Sequence, residues 1–338
     1  VGMEHFLSFI ERRTEAFLTH RKAVKQWEAD NRKPRTFLGE LWGWIDALLF
    51  AIIVVILINQ YLFQLFVIPA PSMVHTLEIG DRVFVGKNSY GTELYSAGKK
   101  IFTDNRKVHR DNIITFYNPE YPNKGVVFNV LSQFIYSGTF TLVNIDRNED
   151  GSPAERLLVK RAVGFPGEVV RFDEGNVSIR KAGSSTYEAE EAFRADAGLS
   201  TAPHRSVDSA AYPGIKAWGT LAAYRDSGLD INLAPQYIKN AYQSTMAGKD
   251  YPDDFYQFEE SRTRAMALLN PADSEARSAY AKYANGIYVG RDQVLPLGDN
   301  RDDSRDGRYF GPVWQKNVNG RVLFRFWPLH RISYLANK

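Results

Sequence analysis

Between Leu41 and Ile68 the chain is mostly apolar, and Ala47–Ile58 carries no polar side chain. A bilayer is spanned by about 20 apolar residues. Trp42 and Trp44 at one end and Tyr61, Phe63 and Phe66 at the other suit interfacial anchoring. Asp46, Asn59, Gln60 and Gln64 sit near the ends, where polar groups cost least. A buried core helix and a cleaved secretory signal share this composition. The run lies too far into the chain for a secretory signal, so residues 41–67 are read as one transmembrane helix. Ahead of it, residues 3–40 are polar and basic, with helical turns expected at Phe6–Phe17 and Arg21–Glu28. Arg12, Arg13, Arg21, Lys22, Lys25, Arg32, Lys33 and Arg35 precede the run. That excess of positive charge predicts a cytoplasmic segment over 1–40 and a body beyond the membrane. Val1-Gly2 before Met3 reads as an added leader.

After residue 68 the pattern changes to short β-like stretches. Asp81–Lys87, Asn112–Tyr117, Leu157–Val163, Glu168–Arg180, Ile287–Leu297 and Gly320–Trp327 are rich in β-branched and aromatic residues and predict strands. Gly80-Asp81, Asn88-Ser89, Asn118-Pro119 and Gly164-Phe165-Pro166-Gly167 supply turns between them. Val126–Asp146 reads as a buried β-hairpin turning at Ser137-Gly138. From about Lys181 to Gly286 the sequence is rich in Ala, Glu, Tyr and Arg, with helices expected near Glu188–Asp196, Gln236–Met246 and Phe255–Leu269. The expected fold is mainly β: an antiparallel body in two parts, 68–180 and 287–338, interrupted by an α-rich insertion over 181–286, behind one N-terminal transmembrane helix.

At 338 residues, 44% hydrophobic and 24% charged, the chain has the composition of a globular protein. A net charge of +3 and no basic stripe interleaved with aromatics speak against nucleic acid. With no cysteine, disulfides, thiolate catalysis and cysteine-built metal sites are excluded. The six histidines, at 5, 20, 75, 109, 204 and 330, show no metal-ligand spacing. There is no Gly-x-Ser-x-Gly elbow, and Gly80–Asn88 departs from a phosphate loop in spacing and in lacking Ser or Thr after Lys87.

Three stretches remain: Pro71-Ser72-Met73-Val74-His75-Thr76-Leu77, Leu158-Val159-Lys160-Arg161-Ala162-Val163 running into Gly164-Phe165-Pro166-Gly167-Glu168, and Leu297-Gly298-Asp299-Asn300-Arg301-Asp302-Asp303-Ser304-Arg305-Asp306-Gly307-Arg308. Singly they are a turn, a strand and a polar loop. In this order behind an apolar span, the chain resembles bacterial type I signal peptidase, a membrane-anchored serine protease that removes signal peptides. The resemblance leaves 1–40 and most of 181–286 unexplained. It implies a Ser72–Lys160 dyad without metal or cofactor, with Ser304 orienting the lysine. By the same resemblance Asp306 and Arg308 would form a charged pair that Arg161 joins, and Gly298, Asp299, Asn300 and Arg301 would hold the loop's shape. A hydroxyl needs a base to become a strong nucleophile, and lysine is a base only when neutral, against an ordinary pKa of about 10.4. The apolar flanks Leu158-Val159 and Ala162-Val163 suit a lysine kept dry.

For substrate, the resemblance implies an extended signal peptide of an exported pre-protein, cut after small residues in an Ala-x-Ala pattern. It would add as a strand near Ile68–Pro71 and Leu157–Val159, against Ile68, Pro69, Ala70, Met73, Leu77, Leu158 and Val159. The implied setting is the inner membrane, single-pass, with the catalytic body on the periplasmic side; partners are the lipid bilayer and the secretion machinery. Phe324, Phe326 and Trp327 could equally meet the bilayer or pack in the core. Three positions depart from the family's pattern. His75 stands where proline is usual and is read as a surface-loop residue. Ala70 stands where many members carry a serine that assists the oxyanion hole, and Asp111-Asn112 stand where Gly-Asp is usual. A Ser–Lys protease with one dedicated substrate, and a degenerate membrane-bound binding paralogue, are the alternatives.

Overall fold

The computed structural model describes residues 37–335 except 94–97, 102, 104–106, 123, 140–142, 149–150, 153, 197 and 200–202, together with 19, 22–24 and 26–27. The turns expected at Phe6–Phe17 lie outside the described residues; within Arg21–Glu28, residues 22–24 and 26–27 are helical. The chain divides into two units, Val1–Val55 and Ile56–Lys338. Helix α1, Phe37–Tyr61, runs through that division. Its stretch Glu40–Tyr61 is long and apolar enough to cross a membrane, on length and composition. The helix ends earlier than the apolar run does: Phe63–Val67 form strand β1. There the apolar sequence alternates, with Gln64 turned inward against Lys87 and Leu65 and Val67 exposed.

Beyond β1 the body continues with β2 (Arg82–Gly86), β3 (Thr92–Glu93), β4 (Lys100–Ile101) and β5 (Ile113–Tyr117), then α2 (Val126–Gly138) and β6 (Leu157–Gly164). A hairpin follows, β7 (Val169–Asp173) and β8 (Asn176–Arg180), where one strand was expected. It turns at Glu174 and Gly175, both in the left-handed region at φ 49° and 68°. After β9 (Glu188–Ala189) come α3 (Glu190–Asp196), α4 (Tyr212–Asp226), α5 (Gln236–Thr245), α6 (Phe255–Leu269) and α7 (Ser274–Ala284). The chain closes with β10 (Ile287–Tyr288), β11 (Gln293–Leu297), α8 (Gly307–Phe310), β12 (Val313–Trp314), β13 (Val318–Trp327) and β14 (Ser333–Tyr334).

The main sheet is antiparallel, ordered β1-β2-β13-β5-β6-β11-β12 with β14 beside β13, and curls into a half-barrel. Alternating side chains serve two cores. Ile113 joins Ile68, Met73, Leu77, Val83, Val85, Val322 and Leu335, while Ile114 and Phe116 join Tyr90, Val108, Ala162, Val294 and Val318. A second sheet, β10-β7-β8-β9, carries the insertion's helices between β9 and β10. Within the expected strand Ile287–Leu297, the two ends thus belong to different sheets.

The antiparallel body is as expected, but mainly β is not: helix makes up 42%. Three helices outside the expected ones contribute to this: α2, α4 and α7 (Ser274–Ala284). Val126–Asp146 begins with helix α2 rather than a hairpin. Short apolar runs do not reveal their period, and α2 buries Asn129 and Ser132 while exposing Val127, Val130 and Leu131. Helix α4 was concealed by Pro213, Gly214 and Gly219. Proline is tolerated in a helix's first turn. The glycines let neighbours close in: a Cβ on Gly214 would lie 1.7 Å from Thr245 Oγ1, and one on Gly219 2.4 Å from the Phe258 carbonyl.

Candidate active site

Ser72 lies in a single 3₁₀ turn, Pro71–Met73, that follows the end of β1. Proline opens the turn, and Met73, fully buried, pins it to the core beneath. Lys160 lies in β6, opposite Ile114 of β5, on the strand face it shares with Leu158 and Ala162. Its side chain is 4% exposed. Lys160 Nζ donates to Ser72 Oγ at 2.6 Å, joining residues 88 apart in sequence.

Burial holds the Lys160 amine below its ordinary lysine value. The carboxylates of Asp306, Glu155 and Asp299 pull the other way, and Arg308 adds to the lowering. The loop carboxylates Asp306 and Asp299 are already engaged by other partners, which leaves desolvation dominant. Asp306 accepts from the Gly298 N–H at 2.8 Å and from Arg308 Nε at 2.9 Å. Asp299 takes both Nε and Nη2 of Arg161, at 2.7 and 2.6 Å. Burial by itself would raise the Asp299 and Asp306 carboxyls, yet Arg161 and Arg308 hold each below the usual range.

The loop after β11 grips the serine turn directly. The Asn300 N–H donates to the Ser72 carbonyl at 3.1 Å and its Nδ2 to the Pro71 carbonyl at 3.2 Å. Thr76 Oγ1 donates to Asp299 at 2.6 Å. Gly298 is required by space: a Cβ there would stand 2.1 Å from Ser304 Oγ and 2.6 Å from the Ser72 carbonyl.

Several expected placements differ. Arg161 does not join Asp306 and Arg308; it bridges Asp299 and Asp111, the latter at 3.2 Å. Ser304 is buried beside Gly298, but its hydroxyl makes no hydrogen bond, so the expected bond to Lys160 is not formed. Arg301 reaches past the loop to Glu190 of α3, with Nη2 2.7 Å from Oε1. Thr76 and Glu190 carry much of this bracing without having been singled out, beside Asn300, expected only to hold the loop's shape, and Asp111, noted only as a departure from the family pattern. Asp111 had one legible signal, its place at a glycine position, and it adopts φ 67°. His75 is exposed at φ 72°, a conformation closed to proline, whose ring fixes φ near −65°. Its ring lies 3.9 Å from that of His204.

A cavity of about 160 Å³ opens over Ser72 and Lys160, lined also by Ala70, Pro71, Leu158, Glu155 and the rim pair Glu120–Arg305. A groove of about 570 Å³ adjoins it at Glu155 and runs between Phe66–Pro69 and Ala154–Leu157. Of the expected substrate contacts, Ala70 and Leu158 face the cavity and Pro69 the groove. Ile68, Met73 and Leu77 are buried beneath, and Val159 packs against them. No group of three or more His, Asp or Glu side chains able to hold a metal occurs among the described residues.

The model of the family described as signal peptidase, peptidase S26, matches residues 41–327. Signal peptidase I of Helicobacter pylori strain J99 is 24% identical over 308 residues, 87% of this chain and 84% of that protein. Signal peptidase I of Buchnera aphidicola from Acyrthosiphon pisum is 23% identical over 273 residues, 80% of this chain and 69% of the relative. A short stretch of 48 residues, 14% of this chain and 24% of the relative, is 45% identical to signal peptidase I of Leptolyngbya laminosa. The chain belongs to the bacterial type I signal peptidase family, peptidase S26, and is a serine endopeptidase.

Proposed function

We propose that this peptidase removes signal peptides from exported pre-proteins, with Ser72 as nucleophile and Lys160 as its general base. The carrying observation is the 2.6 Å contact between Ser72 Oγ and a lysine amine that burial keeps toward its neutral form. A neutral Nζ takes the hydroxyl proton as Oγ attacks the scissile carbonyl carbon. The resulting ammonium then protonates the departing amine as the C–N bond breaks, leaving an acyl-serine. Water, deprotonated by the same amine, releases the acid and restores the serine. Ala70 brings no hydroxyl to the oxyanion, so the backbone N–H of Ser72 is assigned that role.

The groove beside the cavity suits an extended peptide, because β1 is an edge strand of the sheet and offers unpaired main-chain groups. The small cavity, walled by Ala70 and Leu158, suits a small side chain before the cut, in keeping with an Ala-x-Ala site. Helix α1 supplies the anchor, with the N-terminus cytoplasmic and the body on the periplasmic side of the inner membrane. The test is incubation of the detergent-solubilised protein with one purified pre-protein, followed by N-terminal sequencing of the product. The reading requires a single new terminus after a small residue, and its loss in Ser72→Ala and Lys160→Ala. Full activity in either variant contradicts it.

A further inference from the structure

The α-rich insertion has no role in the chemistry described so far, yet its first part is wired to residues beside both proposed reacting groups. Six buried charged side chains form a continuous chain. Arg301 pairs with Glu190, which also meets Arg194 at 3.9 Å. Arg194 Nη1 donates to Asp111 at 2.6 Å. Asp111 pairs with Arg161, and Arg161 with Asp299. Three guanidinium groups face three carboxylates, and each side chain is at most 7% exposed. Glu190 and Arg194 belong to α3, at the start of the insertion. At its other end the chain comes up beside the reacting groups. Arg161 is the sequence neighbour of Lys160, and Asp299 holds Thr76, which follows the serine turn.

A second attachment runs along the outside of the loop. The His204 N–H donates to the Asp299 carbonyl at 2.7 Å, and the Arg301 N–H to the His204 carbonyl at 3.1 Å. Asp302 accepts from the Val207 N–H at 2.9 Å and from Arg205 Nε at 2.9 Å. The loop 299–302 is thus held between Ser72 on one side and insertion residues 204–207 on the other.

We propose that the insertion segments 190–194 and 204–207 are part of the catalytic apparatus, with Glu190, Arg194 and Asp302 acting as positioning residues for Ser72 and Lys160. A buried charge that loses its partner must recruit water or move. Loss of a member of this chain therefore loosens Arg161 and the 299–302 loop, lets water reach Lys160 and separates it from Ser72. This inference rests on the Ser72–Lys160 reading.

The test measures kcat and KM on a signal-peptide substrate, and Ser72 acylation by a serine-directed lactam, each across pH. The full-length protein is compared with Glu190→Gln, Arg194→Met, Arg194→Lys and Asp302→Ala. Arg262→Ala is the control, since Arg262 joins α6 to Asp226 of α4 away from this loop. The expected result is a loss in kcat and acylation of about tenfold or more with KM within about twofold. The acid limb should move to higher pH as Lys160 is rehydrated. Arg194→Lys should recover part of the rate, and Arg262→Ala should behave as wild type. Should Arg194→Met fail to fold, the near-isosteric Glu190→Gln carries the measurement. Wild-type kcat and an unmoved acid limb in a folded Glu190→Gln would overturn the proposal, as would an equal loss in Arg262→Ala. A wild-type protein that acylates but cuts no pre-protein would instead overturn the functional reading, leaving the acylation comparison in force.

Discussion

Gly298→Ala places one methyl group where the structure has no room, and the consequences can be sized. The new Cβ would lie 2.1 Å from Ser304 Oγ, 2.5 Å from Ser304 Cβ and 2.6 Å from the Ser72 carbonyl. Ser304 can turn its hydroxyl away, but its Cβ and the Ser72 carbonyl belong to fixed backbone. Reaching ordinary contact near 3.4 Å requires the Ser72 carbonyl and the loop to part by roughly 0.8 Å. The reacting contact itself spans only 2.6 Å. Misplacement of about 1 Å costs on the order of 100-fold in rate, equivalent to about 2.7 kcal/mol of activation free energy. Overpacking should also lower stability by about 1–3 kcal/mol. Single-turnover cleavage at saturating enzyme isolates the rate, and thermal melts isolate the stability. Adding Ser304→Ala removes the closest clash but not the other two, so the double variant should recover little activity. A Gly298→Ala enzyme within about threefold of wild type, or full rescue by Ser304→Ala, would refute the reasoning.

Lys160→Met tests the same site through stability. Burial lowers the folded-state pKa of Lys160 below the unfolded value of about 10.4. Between the two values the unfolded chain binds the extra proton, so wild-type stability rises with pH there. The methionine variant should therefore melt above wild type at lower pH, with the gap beginning to close at the folded pKa and closing further as pH rises toward the unfolded value of about 10.4; a constant gap contradicts this. Lys87, buried and brought down to about 8, is a second amine titrating in the working range. It bonds Gln64 rather than Ser72, so Lys87→Met should leave the acid limb of activity where it is. A displaced limb would reassign it. Asn300→Ala keeps the N–H bond to the Ser72 carbonyl but removes the Nδ2 bond to Pro71. A loss of about tenfold in kcat is expected from one hydrogen bond, and an unchanged kcat would show the serine turn to be held by other contacts.

The proposed reacting pair came from the resemblance of three stretches to the family's motifs, and the apolar flanks of Lys160 fitted it. A lysine flanked by Leu158-Val159 and Ala162-Val163 in a β-pattern has nowhere to go but inward on one of two faces. What the sequence could not show was pairing at long range. Arg161 adjoins Lys160 in sequence, but the alternation of β6 turns it to the opposite face. It finds Asp299 and Asp111, 138 and 50 residues away, rather than Asp306 and Arg308. Nothing in the sequence marks Glu190 and Arg194 out within the expected helix, because burial by a distant loop leaves no local mark. In the fold, the stretches rich in β-branched and aromatic residues expected as strands at Asn112–Tyr117 and Gly320–Trp327 form strands Ile113–Tyr117 and Val318–Trp327. Helix α4 did not, since its glycines serve close contact with α5 and α6 and mimic breakers in isolation. The end of α1 was missed because Phe63–Val67 stays apolar after becoming a strand exposed on one face.

Activation of Ser72 in this way requires an uncharged amine at residue 160. Lysine side chains carrying ¹³C at Cε, with the Lys160 signal assigned by its absence in Lys160→Met, can be followed by NMR as pH is raised. The predicted result is a Lys160 midpoint well below the ordinary lysine range of about 10.4, coinciding with the pH at which Ser72 acylation accelerates. A Lys160 signal that stays cationic into the ordinary range, while Ser72 reacts at full rate at neutral pH, would contradict it.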